Sequence, residues 1–370
     1  MEMLESLVKE RAHTTECNTL QIIACNAFTE PFTSASILTQ EKLCTFRFEH
    51  QLPNFFTDDL KFDDVWDIQK LKNLMKQKSS SGCEEKMKAY HDKDMDDAFT
   101  LLEKYIIDID VHQESLKKVL EGKPDESAVV RVLAAHLFGP LSNGNYLIDN
   151  HVPDAKVCSC GCGRLIKQGN TGLGCDITWH GYVDMYIQER IPMSVMKNDP
   201  EDCEISESTP PGVSSENDED EEYCWLSVEV KKDPFSVHNK GTSQLIAQTI
   251  TNSFAQVNKN KALSGLPIPS FGCTSTKISI YSYDCENDIL LKSLPLSLFE
   301  LGKVNLSTVV IIWLYLHFFL FMNKNIANKK PALSKANFLQ NELVKPLYSK
   351  VQACICTFGT LSGTVDWIHK

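Results

Sequence analysis

Apolar and polar positions alternate most clearly at Trp225-Leu226-Ser227-Val228-Glu229-Val230-Lys231-Lys232. A period of two predicts a strand that sends Val228 and Val230 into a core and Glu229 and Lys231 to the other face. Residues 182–187 read the same way, with Asp184 beside Tyr182 and Tyr186 and opposite Val183, Met185 and Ile187. Together with residues 172–178 they predict a hairpin turning near Trp179-His180-Gly181. Residues 277–284 and 288–291 read as further strands, whereas Leu266-Pro267-Ile268-Pro269 reads as a break.

Helical spacing of apolar residues occurs at 65–75, 94–107, 112–120 and 338–351. A stronger helix opens at Lys123-Pro124-Asp125-Glu126, where Pro and acidic residues suit a first turn, and carries Val129, Val130, Leu133 and Leu137 as its stripe. Gly241-Thr242-Ser243 predicts a cap for the next helix. Its buried side is Leu245, Ile246, Ile250 and Phe254; Gln244, Gln248 and Thr251 share a polar face at i, i+4 and i+7. Residues 306–322 form the most apolar run, seventeen residues that include His317. That length is borderline for a bilayer, and after an α/β fold it reads as a buried helix rather than a membrane anchor.

These elements predict an α/β fold built on a mixed sheet. Residues 1–120 read as a mainly helical accessory region and 121–370 as the principal domain, closed by C-terminal helices. The formal charge of −12 at first disfavours a polyanionic partner. Residues 199–222, however, hold eleven acidic residues and no Lys or Arg. Without them the chain is nearly neutral, so a local basic groove remains open to it. The segment itself, rich in Pro, Ser and acid, reads as a disordered loop insertion and a possible protein-binding segment.

Fourteen cysteines in a long chain without an export signal read as reduced thiols of an intracellular protein, nuclear or cytoplasmic. Cys158, Cys160 and Cys162 are dense enough to hold Zn²⁺ with Cys175, His151 or His180. No second well-spaced pair completes them, so a glycine-rich turn bearing free thiols is the preferred reading.

The ordered set of Glu-bearing helix, Gly181-x-x-Asp184 strand, Glu229-Val230-Lys231 strand and Gln-bearing helix resembles the PD-(D/E)XK nuclease superfamily. The resemblance spans roughly residues 120–290 and implies a restriction-endonuclease-like core. It also implies metal-dependent hydrolysis of nucleic acid, DNA in the first place. Asp184, Glu229 and the carbonyl of Val230 would bind Mg²⁺, with Mn²⁺ as a substitute, and Lys231 would position water or stabilise developing charge. Gln244 or Gln248 would sit beside the site. Glu126 would support the metal, unless it only complements the helix dipole. The alternative is a catalytically inactive nuclease-like module that binds nucleic acid or a protein. Oligomeric state is not legible in the sequence.

Overall fold

The structure, a computed structural model, describes residues 17–42, most of 62–73, and 90–354 apart from 143, 153–155, 192–222, 233–234, 236–238, 325 and 330–332. The acidic segment 199–222 therefore lies outside the described residues. In chain order the strands are β1 (Cys17–Cys25), β2 (Ile37–Lys42), β3 (Tyr146–Asp149), β4 (Gln168–Gly169), β5 (Gly172–Leu173), β6 (Gly181–Tyr182), β7 (Met185–Arg190), β8 (Tyr223–Val230), β9 (Ile268–Cys273), β10 (Lys277–Asp284), β11 (Ile289–Ser293), β12 (Leu296–Ser297), β13 (Phe299–Glu300), β14 (Lys303–Val304) and β15 (Ala353–Cys354). One mixed sheet runs β2-β1-β11-β10-β9-β8-β7-β3-β4, with β12 paired to β10. The fold is thus α/β with a large mixed sheet.

At its middle, β8 is antiparallel to β7 and parallel to β9. The register of β7 and β8 runs from Met185 opposite Val228 to Arg190 opposite Tyr223. The chain between 190 and 223 accordingly leaves and returns at the end of this pair remote from Asp184 and Glu229.

Five helices matter for the sheet. They are α1 (Tyr90–Ile107), α2 (Ile109–Leu120), α3 (Glu126–Leu133), α4 (Lys240–Lys259) and α5 (Leu306–Leu316). Asp125 caps α3 by accepting from Ala128 N–H at 2.7 Å. The helix then widens into a π turn, Ala134–Phe138. Phe138 meets Phe271 edge-on at 5.2 Å between ring centroids, which covers the sheet face that carries Val228. Helix α4 covers the opposite face, touching β8, β9 and β10.

Several expectations need correction. Among the described residues of the first 120, α1 and α2 form where the spacing predicts, and β1 and β2, which the pattern did not predict, extend the sheet. The stretch 65–75 is described only in part, and its Trp66 forms an isolated bridge to Met322. Residues 182–187 are not one strand, because the chain changes sheets at Val183-Asp184. β6 pairs with β5 in a small sheet, whereas β7 enters the main one. Leu266–Pro269 is not simply a break; β9 starts at Ile268, with Pro269 inside it opposite Ser282. Helix α4 begins two residues before the expected cap, on Asn239, whose side chain accepts from Gly241 N–H at 2.9 Å. At 338–351 only Val344–Tyr348 is helical.

The apolar run 306–322 divides into α5 and a turn of helix, Phe318–Phe321, at the buried His317. Its imidazole faces the Leu141 carbonyl through Nε2 at 3.1 Å and Glu189 through Nδ1 at 3.5 Å. Burial pushes His317 down to about 4 and Glu189 well above the carboxylate range, so the pair is accommodated uncharged. No helix among the described residues is long and apolar enough to cross a membrane.

Candidate functional site

Asp184 sits in the bend where the chain passes from β6 to β7, partly exposed. Its backbone carbonyl accepts from Asp149 N–H at 3.1 Å, which anchors the bend to the end of β3. Its carboxylate Oδ2 accepts from Val230 N–H at 2.7 Å. Asp184 therefore takes the place of a ladder partner at the end of β8, beyond the last β7 rung. In an extended strand a residue's N–H and C=O share one side, so the Val230 carbonyl points toward the same edge.

Glu229 lies on the α4 face, where the alternation sends it, but that face is covered rather than open to water. Its side chain is only 2% exposed. Oε1 accepts from Lys231 Nζ, with which it forms an ion pair, and from Gln244 Nε2 at 2.7 Å. Oε2 accepts from Gln248 Nε2 at 2.8 Å. Both Gln candidates thus reach the same carboxylate, one oxygen each. The amide oxygen of Gln248 is buried and has no hydrogen-bond partner among the described residues.

Helix α4 comes this close because Gly272, opposite Glu229 in β9, has no side chain. A Cβ there would collide with Leu245 and lie 2.9 Å from Phe235 Cε2. Gly272→Ala is expected to cost about 1–3 kcal/mol through overpacking, measured by urea unfolding. Unchanged stability would mean that α4 does not seat on this glycine.

Glu126 approaches from α3, and its Oε1 accepts from Lys232 N–H at 3.1 Å. The six residues singled out in the sequence, Glu126, Asp184, Glu229, Lys231, Gln244 and Gln248, therefore meet at one end of the β8 strand. A cavity of about 390 Å³ opens beside them, lined by Lys123, Glu126, Lys231, Lys232 and Ser275 among others.

Electrostatics follow from this crowding. Burial, then the neighbouring Glu229 carboxylate, holds Asp184 well above the ordinary carboxylate range. Burial also lifts Glu229, against the pull of Lys231. For Lys231, burial favours the neutral amine, but the carboxylates of Glu229 and Asp184 outweigh it and raise the ammonium. Two acids held above their usual range by confinement and mutual repulsion, with a backbone carbonyl on the same edge, are hard oxygen donors short of positive charge.

A second constellation lies past the C-terminal end of α3. His136, in the π turn, and Cys158, Cys160 and Cys162, between β3 and β4, place their four candidate ligand atoms within 4.8 Å of one another. This His/Cys₃ cluster could bind a metal ion, which is compatible with the zinc alternative to a turn bearing free thiols. The companions proposed from sequence are elsewhere. His151 pairs with Asp149 at 3.0 Å, His180 bonds the Thr178 carbonyl at 2.8 Å, and Cys175 bonds Thr178. The missed residue is His136. Its signal was present, since an imidazole three residues after Leu133 falls on an otherwise apolar stripe and must find a polar partner.

No protein-family model, curated protein or solved structure matches this chain.

Proposed function

We propose that this chain is a metal-dependent nuclease, hydrolysing phosphodiester bonds of nucleic acid and of DNA in the first place, on a core of the PD-(D/E)XK kind. The carrying observation is the contact of Asp184 with Val230 N–H, one residue from a buried Glu229 that is paired with Lys231. Residues 46 positions apart in the chain are thereby joined around one patch of oxygen donors.

The donor set fits a hard divalent cation. The second Asp184 oxygen, Glu229 and the Val230 carbonyl would hold Mg²⁺, or Mn²⁺ in its place. When bound, such an ion polarises a phosphate and lowers the pKa of a water molecule. Lys231 holds a positive charge beside the reacting phosphate, where negative charge develops. Gln244 and Gln248 fix the Glu229 carboxylate in one orientation. Lys123 and Lys232, at the cavity, suit the sugar-phosphate backbone, a contact that positions without reading sequence. All-oxygen donors select this kind of ion, whereas the thiol cluster suits a softer one such as Zn²⁺.

Calorimetric titration of the full chain with Mg²⁺ and with Mn²⁺ tests the reading. Heat of binding is expected in the native protein and not in Asp184→Asn. Because the raised carboxylates hold protons that a cation must displace, affinity should climb as pH rises above about 4 toward neutrality. The linkage has a matching sign in the metal-free protein: carboxylates with raised folded pKa values lose stability as pH rises through those values, and Mg²⁺ should restore it.

One observation favours a second reading, a nuclease-like binding module without catalysis: three donors already satisfy Glu229, and a cation must compete with Lys231 for Oε1. No Asp184-dependent heat with either metal, alongside retained binding of DNA or RNA, would select it.

A further inference from the structure

We infer that His136, Cys158, Cys160 and Cys162 form a structural Zn²⁺ site that clamps the β3–β4 connection onto helix α3. The distances carry the geometry. Cys160 Sγ lies 3.2 Å and Cys162 Sγ 3.4 Å from His136 Nε2, and Cys158 Sγ lies 3.3 Å from Cys160 Sγ. A tetrahedral zinc with bonds of about 2.3 Å to sulfur and 2.0–2.1 Å to nitrogen has ligand edges of about 3.5–3.8 Å. Three of the six edges thus lie within about half an ångström of those of a tetrahedral zinc site, and all four atoms lie within 4.8 Å of one another. A disulfide is not the explanation, because bonded sulfurs lie about 2.05 Å apart. Gly161 and Gly163, at φ of +83° and +78°, turn the short Cys-x-Cys-x-Cys loop so that alternate sulfurs face inward together.

The surroundings are those of a ligating imidazole. With Nε2 toward the sulfurs, the proton of His136 belongs on Nδ1, which faces His112 Nδ1 at 3.4 Å. His112 is in turn fixed by stacking on Tyr105, at 4.7 Å and 9°. The loop is tied to α3 independently of any ion. Ser159 Oγ donates to the Ala128 carbonyl at 2.7 Å, and Arg164 Nη1 donates to the Ala135 carbonyl, inside the π turn, at 2.8 Å. His136 and Cys158 are buried, so their polar atoms need a partner, and a four-coordinate soft cation satisfies all four at once. With every position taken by protein, the site has no open coordination for chemistry, which makes it structural.

The site is independent of the carboxylate patch, and the test keeps them apart. Full-length protein, purified without added metal and dialysed, is analysed by elemental mass spectrometry. One equivalent of zinc per chain is expected, and Asp184→Asn should retain it in full. After removal of zinc and replacement by Co²⁺, intense thiolate-to-cobalt charge-transfer absorption with tetrahedral visible bands is expected. Cys160→Ser and His136→Asn should lose the tightly held metal. Should either variant fail to fold, the native protein still decides. Absence of stoichiometric zinc, a cobalt spectrum lacking thiolate character, iron in place of zinc, or a disulfide among these cysteines in freshly purified protein would each overturn the assignment.

Discussion

Asp184→Asn is expected to abolish Mg²⁺-dependent cutting of DNA, by on the order of a thousandfold or more, while leaving the fold intact. The amide keeps the shape of the side chain and an oxygen that can still accept from Val230 N–H. What it removes is the charge that, with Glu229, would hold the cation. Glu229→Gln should do the same: its oxygen still accepts from Gln244, its new amide N–H can donate to the Gln248 oxygen once that amide turns over, and the attraction for metal is lost. Single- and double-stranded DNA and RNA, incubated with each protein and Mg²⁺ or Mn²⁺ and resolved on gels, provide the readout. Cutting at the native rate by both variants, with native circular dichroism, would remove these carboxylates from the chemistry.

Lys231→Met separates that chemistry from folding. The Glu229 side chain is 2% exposed and Lys231 27%, so the pair sits at the edge of the interior. Removing one partner of a buried pair costs about 3–5 kcal/mol; the water still reaching Lys231 places the expected loss near the lower end, about 3 kcal/mol at neutral pH. The remaining carboxylate is then uncompensated, its pKa rises further, and the deficit should shrink as the solution is acidified and the proton returns. Combining Lys231→Met with Glu229→Gln should recover most of the stability and none of the cutting. Urea unfolding of the four proteins across pH measures the coupling. Strict additivity of the two single changes would mean that the pair contributes nothing to the fold.

The candidate patch was legible because its residues announce themselves locally. Strict alternation placed Glu229 and Lys231 on one face, the i, i+4 spacing placed Gln244 and Gln248 on another, and capping chemistry placed Glu126 at a helix start. What the pattern did not convey was who covers what. The helix face of Gln248 and Thr251 looked solvated, yet it lies against the sheet, where polar side chains are retained because they find partners in β8 and α4 itself. β9 was hidden because its Pro269 suggested a turn, and only its pairing with β8 and β10 reveals a strand. β1 was hidden because its partner, β11, lies more than 240 residues further along, and β2 joins the sheet only through β1. His136 escaped for the same reason. A thiol loop and a helical imidazole become one site only after β3 and α3 are folded against each other.

The excursion between Arg190 and Tyr223 departs and re-enters at a rung of the β7–β8 ladder. Five further rungs, at about 3.3 Å each, separate that junction from the edge where Asp184 meets Val230. Its length and composition are thus free to drift during evolution without straining the carboxylates, much as a handle can be lengthened without altering the blade. With the step beyond the last rung, the most strongly acidic stretch of the chain is rooted about 20 Å from the place where a polyanion would be cut.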